Sequence, residues 1–224
     1  MKAMILAAGR GERMRPLTDT VPKPLLPAGG KPLIVHLIER LRGGGFCDLL
    51  INHAYLSQQL LSALSDGRSL GVRIRYSAEP PDALDTGGGI LNALPILGRS
   101  PFLVVNGDVW TDYPFQRLAK EPPHLAHLVL VDNPAHHPEG DFALVDGKVH
   151  HLGRSRLTFA GIGVYRPELF DGQEGGRFPL APLLREAAIR GEVSAEYYRG
   201  QWNDVGTPQR LKELDLRLRH RQAT

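Results

Sequence analysis

A short stretch near the N-terminus gathers residue types that can hold phosphate. In Ala7-Ala8-Gly9-Arg10-Gly11-Glu12-Arg13, the positions Ala8, Gly9 and Gly11 carry little or no side chain, so a planar or anionic ligand can reach the backbone itself. Successive N–H groups in such a loop can form a concave anion site. Arg13, Arg15 and Lys23 follow and put positive charge where phosphates would lie. Farther along, the apolar run Phe102-Leu103-Val104-Val105 ends in Asn106-Gly107-Asp108. The Asp108 carboxylate has two roles open to it: a turn aspartate satisfied by nearby N–H groups, or a ligand for a divalent cation. Mg²⁺ is commonly held by one or two carboxylates plus phosphate oxygens, so the phosphate loop favours the second role. Gly87-Gly88-Gly89 opens a helical stretch with residues that weaken a helix. These glycines are either plain turn residues or a second loop where backbone meets ligand, and the second is expected.

Spacing rules out two common phosphate cradles. The P-loop pattern, with Gly-Lys-Ser/Thr four residues after its first glycine, is absent, and Met14 stands where a dinucleotide fingerprint needs its third glycine. A hydride-transferring dinucleotide enzyme is therefore not expected.

The elements around these residues follow from hydrophobic periodicity. Met4-Ile5-Leu6 reads as a buried strand ending at the glycine loop. Pro32 to Arg42 reads as an amphipathic helix stopped by Gly43-Gly44-Gly45, Leu49 to His53 as a second strand, and Ser57 to Leu64 as a second helix. Val72 to Tyr76 alternates as a third strand, and the Gly87 helix runs to about Pro95. Strand and helix alternating at this spacing predict an open, mostly parallel α/β sheet, whose ligands bind at the carboxyl ends of the strands. After residue 110, short strands at 126–131, 143–145, 149–152 and 158–165 read as antiparallel, with Asp146-Gly147 as a hairpin turn. A helix over 180–190 and a closing helix from Thr207-Pro208 to Arg219 complete the chain. Residues 1–224 read as one domain, with 1–110 binding nucleotide and 111–224 holding the acceptor substrate and the closing helix. His136-His137 and His150-His151 are expected as solvated histidines, because neighbours on a strand face opposite ways and cannot share a metal.

Composition narrows the class further. With 42% hydrophobic and 23% charged residues the 224-residue chain can bury a proper core. The net charge of +3 carries no block of like charge, which excludes a nucleic-acid arm and suits a small anionic substrate. No stretch approaches the ~20 apolar residues of a membrane span, and no secretory leader pattern opens the chain. Cys47 is the one cysteine, expected to be a small buried residue in a reducing compartment, so the cytoplasm is the expected location.

Read as one string, Leu6 to Pro27, with Gly-x-Gly-x-Arg followed by Pro22-Lys23-Pro24, resembles the nucleotidyltransferases that make nucleotide sugars from sugar 1-phosphates. Trp202-x-Asp204-Val205-Gly206-Thr207-Pro208 resembles the same family. The resemblance implies a mixed, mostly parallel sheet flanked by helices, a Rossmann-like nucleotidyltransferase fold. It also implies attack by a sugar phosphate on a nucleoside triphosphate. Carried over by position, Ala8, Gly9, Gly11 and Glu12 contact the nucleotide, Arg13 binds the departing phosphates and Lys23 neutralises the phosphate under attack. Gly87 and Gly88 meet the base, Asn106 touches ribose or sugar, Gly140 lies beneath the sugar, and Asp108 and Asp204 hold Mg²⁺.

Several strings most resemble the family's bacterial branch acting on N-acetylmuramate α-1-phosphate: Asn52-His53-Ala54, Asp85 to Ile90, Asn106 to Asp112, and Leu128 to Pro134. This implies UTP as donor, a sugar bearing a lactyl carboxylate as acceptor, and a place in peptidoglycan recycling. Where many relatives carry a Glu-Lys pair, this chain has Arg154-Ser155-Arg156, and Arg154 is either a partner of that carboxylate or a solvated loop arginine. A monomer is expected. The rival within enzymes is a mannose-1-phosphate guanylyltransferase or a relative using another base. The rival across classes is a regulatory subunit that binds nucleotide sugar without chemistry. Arg13, Lys23, Asp108 and Asp204 together favour the enzyme.

Overall fold

The first strand, β1 (Lys2–Leu6), shows how the interior is divided. Ala3 and Ile5 point into one apolar cluster and Met4 into another on the opposite face. The same alternation runs through β2 (Asp48–His53), where Leu49 and Ile51 face one way and Leu50 the other, and through β4 (Phe102–Asn106). Both faces of the sheet are therefore buried, as a sheet with helices on each side requires. The computed structural model describes residues 1–222 apart from Glu121, Pro123 and Arg154.

On one face lie α1 (Leu33–Gly43) and α2 (Ser57–Leu64), which contribute Ile34, Leu37, Ile38, Leu41, Leu60 and Leu64 to the first cluster. On the other lie α3 (Asp85–Leu97) and α4 (Ala181–Ile189), which contribute Ile90, Ala93, Leu183 and Leu184 to the second. The sheet also contains β3 (Arg73–Ala78), β6 (Ala126–Val131), β7 (Phe142–Val145), β8 (Lys148–His150), β9 (Arg156–Tyr165) and β10 (Val193–Tyr197). Its nine strands run in the order β3-β2-β1-β4-β9-β6-β10-β8-β7. The pairs β3–β2, β2–β1 and β1–β4 are parallel, β9 runs against both β4 and β6, and β10 is parallel to β6. The sheet is mixed, as expected: among the described residues seven of its nine strands point the same way, while β9 and β8 run against their neighbours, so four of the nine strand pairings are parallel.

The chain leaves β1 toward β2 and β3 on one side and returns to β4 on the other. The carboxyl ends of β1 and β4 thus flank the point where strand order reverses, the place where such sheets open a ligand crevice. Leu6 pairs with Asn106, and Gly107 N–H donates to the Leu6 carbonyl at 2.9 Å.

Three features were not legible from periodicity. β10 is an interior strand, parallel to β6 and antiparallel to β8, that the Val193–Tyr197 pattern did not announce. Two short strands, β5 (Val109–Thr111) and β11 (Trp202–Asp204), pair antiparallel and tie the end of the chain to the turn after β4. The glycines expected in a loop before α3 form its first turn instead. The closing helix α5 (Pro208–Gln222) buries Leu211, Leu214 and Leu218 in a third cluster with Met14, Leu26, Ala28 and Trp110. That helix therefore holds down the segment carrying Lys23. Cys47, expected in the interior, is exposed, because the chain turns there between Gly45 and β2.

Candidate active site

Backbone geometry shapes the loop after β1. Ala7 N–H donates to Asn52 Oδ1 at 2.6 Å, Asn52 Nδ2 donates to Glu79 Oε1 at 2.6 Å, and Glu79 Oε2 accepts from Leu84 N–H at 2.8 Å. Asn52 is only 2% exposed, so this chain of bonds braces the loop from inside the protein. Gly11 has φ +71°, and a Cβ there would lie 3.1 Å from Thr18 and 3.2 Å from Lys23. Around Gly9 a Cβ would meet nothing within 4 Å. Gly11 is thus required by conformation and close approach, whereas Gly9 faces open space.

That space is a cavity of about 360 Å³ whose lining includes Ala8, Gly9, Gly11, Glu12, Arg13, Lys23, Asn106 and Asp108. Eight residues expected from sequence are therefore brought together on one wall. Asn52, Glu79, Asp85 and Thr86 also border it; Asn52, Asp85 and Thr86 lie in strings that carry the resemblance but were given no site role, and nothing in the sequence marks Glu79. Lys23 Nζ donates to Asp108 Oδ2 at 2.6 Å, with the lysine side chain 13% and the aspartate 26% exposed. Arg13 is exposed and has no ion-pair partner among the described residues.

Asp204 reaches the same end of the sheet through the β5–β11 pairing. It sits opposite Val109, and Val205 N–H donates to the Asp108 carbonyl at 2.8 Å. Its carboxylate is held by Arg210 Nη1 and lies 3.2 Å from His136 Nε2. A Cβ on Gly206, which also lines the cavity, would lie 2.6 Å from Arg210 and 3.3 Å from Arg13. Two guanidinium groups therefore converge over that glycine. Arg210 was missed in the sequence, although it follows the Thr207-Pro208 helix start directly. His136 is an exposed loop residue, as expected, and it is also a neighbour of Asp204 and Arg210.

Gly87 and Gly88 do not line the cavity. Both donate N–H groups to the Phe178 carbonyl at 3.0 Å, and a Cβ on Gly88 would lie 2.1 Å from the Gly176 carbonyl oxygen. Their lack of side chains admits the 176–178 backbone. Arg154 lies outside the described residues.

A second, smaller cavity of about 150 Å³ shares Leu6, Thr86 and Asn106 with the first. Apolar Val104, Phe142, Phe159, Leu180 and Leu184 and polar Asp141 and Arg185 complete most of its wall. Asp141 is braced by Phe159 N–H at 2.8 Å and lies 3.2 Å from His137 Nε2. Gly140, just before it, has φ +60°, and a Cβ there would lie 2.7 Å from Asn133 Oδ1. Between the cavities stands Asn106. The pairing of β9 with β6 shifts register between Phe159 and Gly163, and a Cβ on Gly161 would lie 2.6 Å from Asn106 Nδ2. The irregularity and its glycine give the asparagine side chain room to turn into the crevice.

A nucleotide-sized cavity with a backbone loop, converging cations and strand-end carboxylates suits transfer of a phosphoryl-linked group. A family profile described as nucleotidyl transferase matches residues 2–151. The chain belongs to the nucleotidyl transferase family. This nucleotidyltransferase is 55% identical to the N-acetylmuramate alpha-1-phosphate uridylyltransferase of Neisseria meningitidis serogroup B, over 95% of this chain and 96% of that one. It is 34% identical to a mannose-1-phosphate guanyltransferase of Aspergillus oryzae, over 93% of this chain and 61% of the relative. Its fold matches a Bacillus anthracis structure titled a glucose-1-phosphate thymidylyltransferase with TM-score 0.87, at 22% identity, covering 98% of this chain and 95% of that one.

Proposed function

We propose that this nucleotidyltransferase transfers a uridylyl group from UTP to N-acetylmuramate α-1-phosphate, giving the UDP-sugar and pyrophosphate in peptidoglycan recycling. One observation carries the chemistry: Asn106 borders both cavities, so a nucleotide in one and a sugar phosphate in the other would meet beside Lys23 and Asp108. The 55% identity to a uridylyltransferase supports the choice of donor and acceptor over the more distant guanylyltransferases.

The reaction needs no catalytic base, because the sugar phosphate oxygen is already an anionic nucleophile. That oxygen bonds to the α-phosphorus of UTP, and the bond from the α-phosphorus to the bridging oxygen breaks, sending its electron pair out with pyrophosphate. The remaining task is to bring two polyanions together and to stabilise charge as it moves. The loop from Ala8 to Gly11 holds the triphosphate, with Glu12 beside it. Lys23 neutralises the α-phosphate, and Arg13, with Arg210 alongside, draws off the leaving pyrophosphate. Asp85 and Thr86, at the start of α3, stand where the base enters.

The donor set suits Mg²⁺. Asp108 stands in the turn just before β5 and Asp204 on β11 opposite Val109, and no group of three or more His, Cys, Asp and Glu able to hold a metal occurs among the described residues. A metal at this site would rest on two carboxylates and the substrate's own phosphates, the arrangement Mg²⁺ favours. When bound, Mg²⁺ supplies charge stabilisation on the phosphates. Lys23 pairs with Asp108 and Arg210 with Asp204, which compensates the two negative charges.

No helix among the described residues is long and apolar enough to cross a membrane, and we place the enzyme in the cytoplasm as a monomer, with light scattering at the mass of two chains as the result against it. Pyrophosphate release with Mg²⁺ tests the substrates, crossing UTP, GTP, CTP and dTTP with N-acetylmuramate, N-acetylglucosamine, glucose and mannose 1-phosphates. Release with UTP and N-acetylmuramate 1-phosphate is the expected result. Release with another pair alone would keep the mechanism and change the pathway. No release in any combination would favour a regulatory subunit.

A further inference from the structure

The second cavity contains one cation that the proposed chemistry does not use. Arg185 projects from α4, one residue after buried Leu184 and one helical turn after Ala181, and all three line the cavity. The position of α4 is set from inside: Leu180 N–H donates to Thr86 Oγ1 at 2.8 Å, and Leu183 and Leu184 are buried in the cluster beneath the sheet. Arg185 itself is exposed and has no hydrogen bond or ion pair among the described residues.

Its surroundings define the ligand it would accept. Among the described lining residues of this cavity, Arg185 is the one Lys or Arg. The other polar side chains on its wall are Thr86, Asn106, Tyr165 and the carboxylate of Asp141. The nearby Arg156 is turned to Glu139, 3.5 Å away. A neutral sugar would have no need of an unpaired guanidinium here. A sugar bearing its own carboxylate would bring a second negative charge beside Asp141, and that charge needs a cationic partner within the cavity. Arg185 lines the second cavity and not the first. Its charge is thus offered to the sugar and not to the triphosphate.

We infer that Arg185 pairs with a carboxylate on the acceptor sugar and sets the preference for a carboxylate-bearing sugar 1-phosphate over its neutral counterpart. This rests on the acceptor assigned under the proposed function and adds the group that recognises it. The guanidinium fork matches a carboxylate in two parallel hydrogen bonds, a geometry that lysine cannot supply. Specificity then resides on a helix outside the sheet, apart from the residues that handle the phosphates.

The test measures kcat/KM with UTP and Mg²⁺ for N-acetylmuramate 1-phosphate and N-acetylglucosamine 1-phosphate, which differ by the lactyl ether and its carboxylate. It uses the unaltered protein, Arg185→Ala and Arg185→Lys. The ratio of the two kcat/KM values is expected to fall about 10- to 100-fold in Arg185→Ala, chiefly through KM for the muramate sugar, with Arg185→Lys intermediate. An unchanged ratio in Arg185→Ala, in a protein that turns over N-acetylmuramate 1-phosphate, overturns the inference and leaves the proposed function standing. No turnover of N-acetylmuramate 1-phosphate by the unaltered protein overturns the acceptor assignment and the inference together.

Discussion

Lys23 Nζ stands 2.6 Å from Asp108 Oδ2, across the gap between the segment after β1 and the turn after β4. The two residues are far apart in sequence and share no local motif. Their meeting follows from the parallel pairing of β1 with β4 and from the Gly107 N–H bond to Leu6. The pair balances a positive and a negative charge at the edge of the cavity and stands at the centre of the proposed chemistry.

Lys23→Ala and Asp108→Asn should each lower kcat by about 10²- to 10³-fold or more, the scale of losing one charge aimed at a developing transition state. Neither side chain belongs to an apolar cluster, so melting temperatures should stay within a few degrees of the parent. Steady-state pyrophosphate release together with thermal melting checks this. A near-normal rate in either variant would remove that residue from the mechanism.

Metal removal provides a second check on the carboxylates. EDTA should abolish turnover and added Mg²⁺ restore it, with Asp204→Asn raising the Mg²⁺ concentration needed for half-maximal rate. Full activity in EDTA would mean that the two aspartates serve only as partners of Lys23 and Arg210.

Two glycine substitutions should separate ligand space from packing space. Gly9→Ala adds a methyl group where nothing lies within 4 Å, so stability should hold while KM for the nucleotide rises about tenfold. Gly88→Ala places a methyl 2.1 Å from the Gly176 carbonyl oxygen and should cost about 1–3 kcal/mol of stability through overpacking. Chemical denaturation and nucleotide KM, measured on both variants, would expose any reversal of this pattern.

His127 on β6 gives a pH-dependent stability. Burial lowers its pKa below the ordinary 6.5, with the charge of Glu196 acting weakly the other way, and its Nδ1 lies 2.9 Å from Ser194 Oγ. The unfolded chain binds a proton near pH 6.5 that the folded chain resists. The stability held by neutral His127 is therefore complete above that value and is lost as pH falls through it toward the depressed native pKa. Between pH 7.5 and pH 5, the melting temperature of His127→Gln should drop less than that of the parent. Equal drops would show that other groups govern acid sensitivity.

The phosphate loop, Lys23 and Asp108 stood out in the sequence by residue type in contiguous strings, and Asp204 by the resemblance of its string to the nucleotidyltransferases; the fold brings the loop, Lys23 and Asp108 to one cavity. The alternation of strands and helices through residue 97 was legible for a similar reason, since both faces of a parallel sheet demand continuous apolar runs. What a string cannot contain is proximity across the sheet. Asn52 and Glu79 brace the loop only because β2 and β3 end beside β1. Arg210 and His136 meet Asp204 only after α5 and the 133–141 loop fold toward it. The triple glycine shows the limit most clearly: its composition suggested a ligand loop, whereas the fold uses Gly87 and Gly88 to admit the backbone near Phe178.

By itself the sequence determined the sheet class, the anion-binding loop and the charges available to it, because periodicity and backbone freedom are local properties. Tertiary structure alone decided which of those charges neutralise one another, that Asn106 borders both cavities, and that Arg185 lines the smaller one. Those outcomes depend on distances between strands brought together by hydrophobic burial on both sheet faces, and residue order does not encode such distances locally.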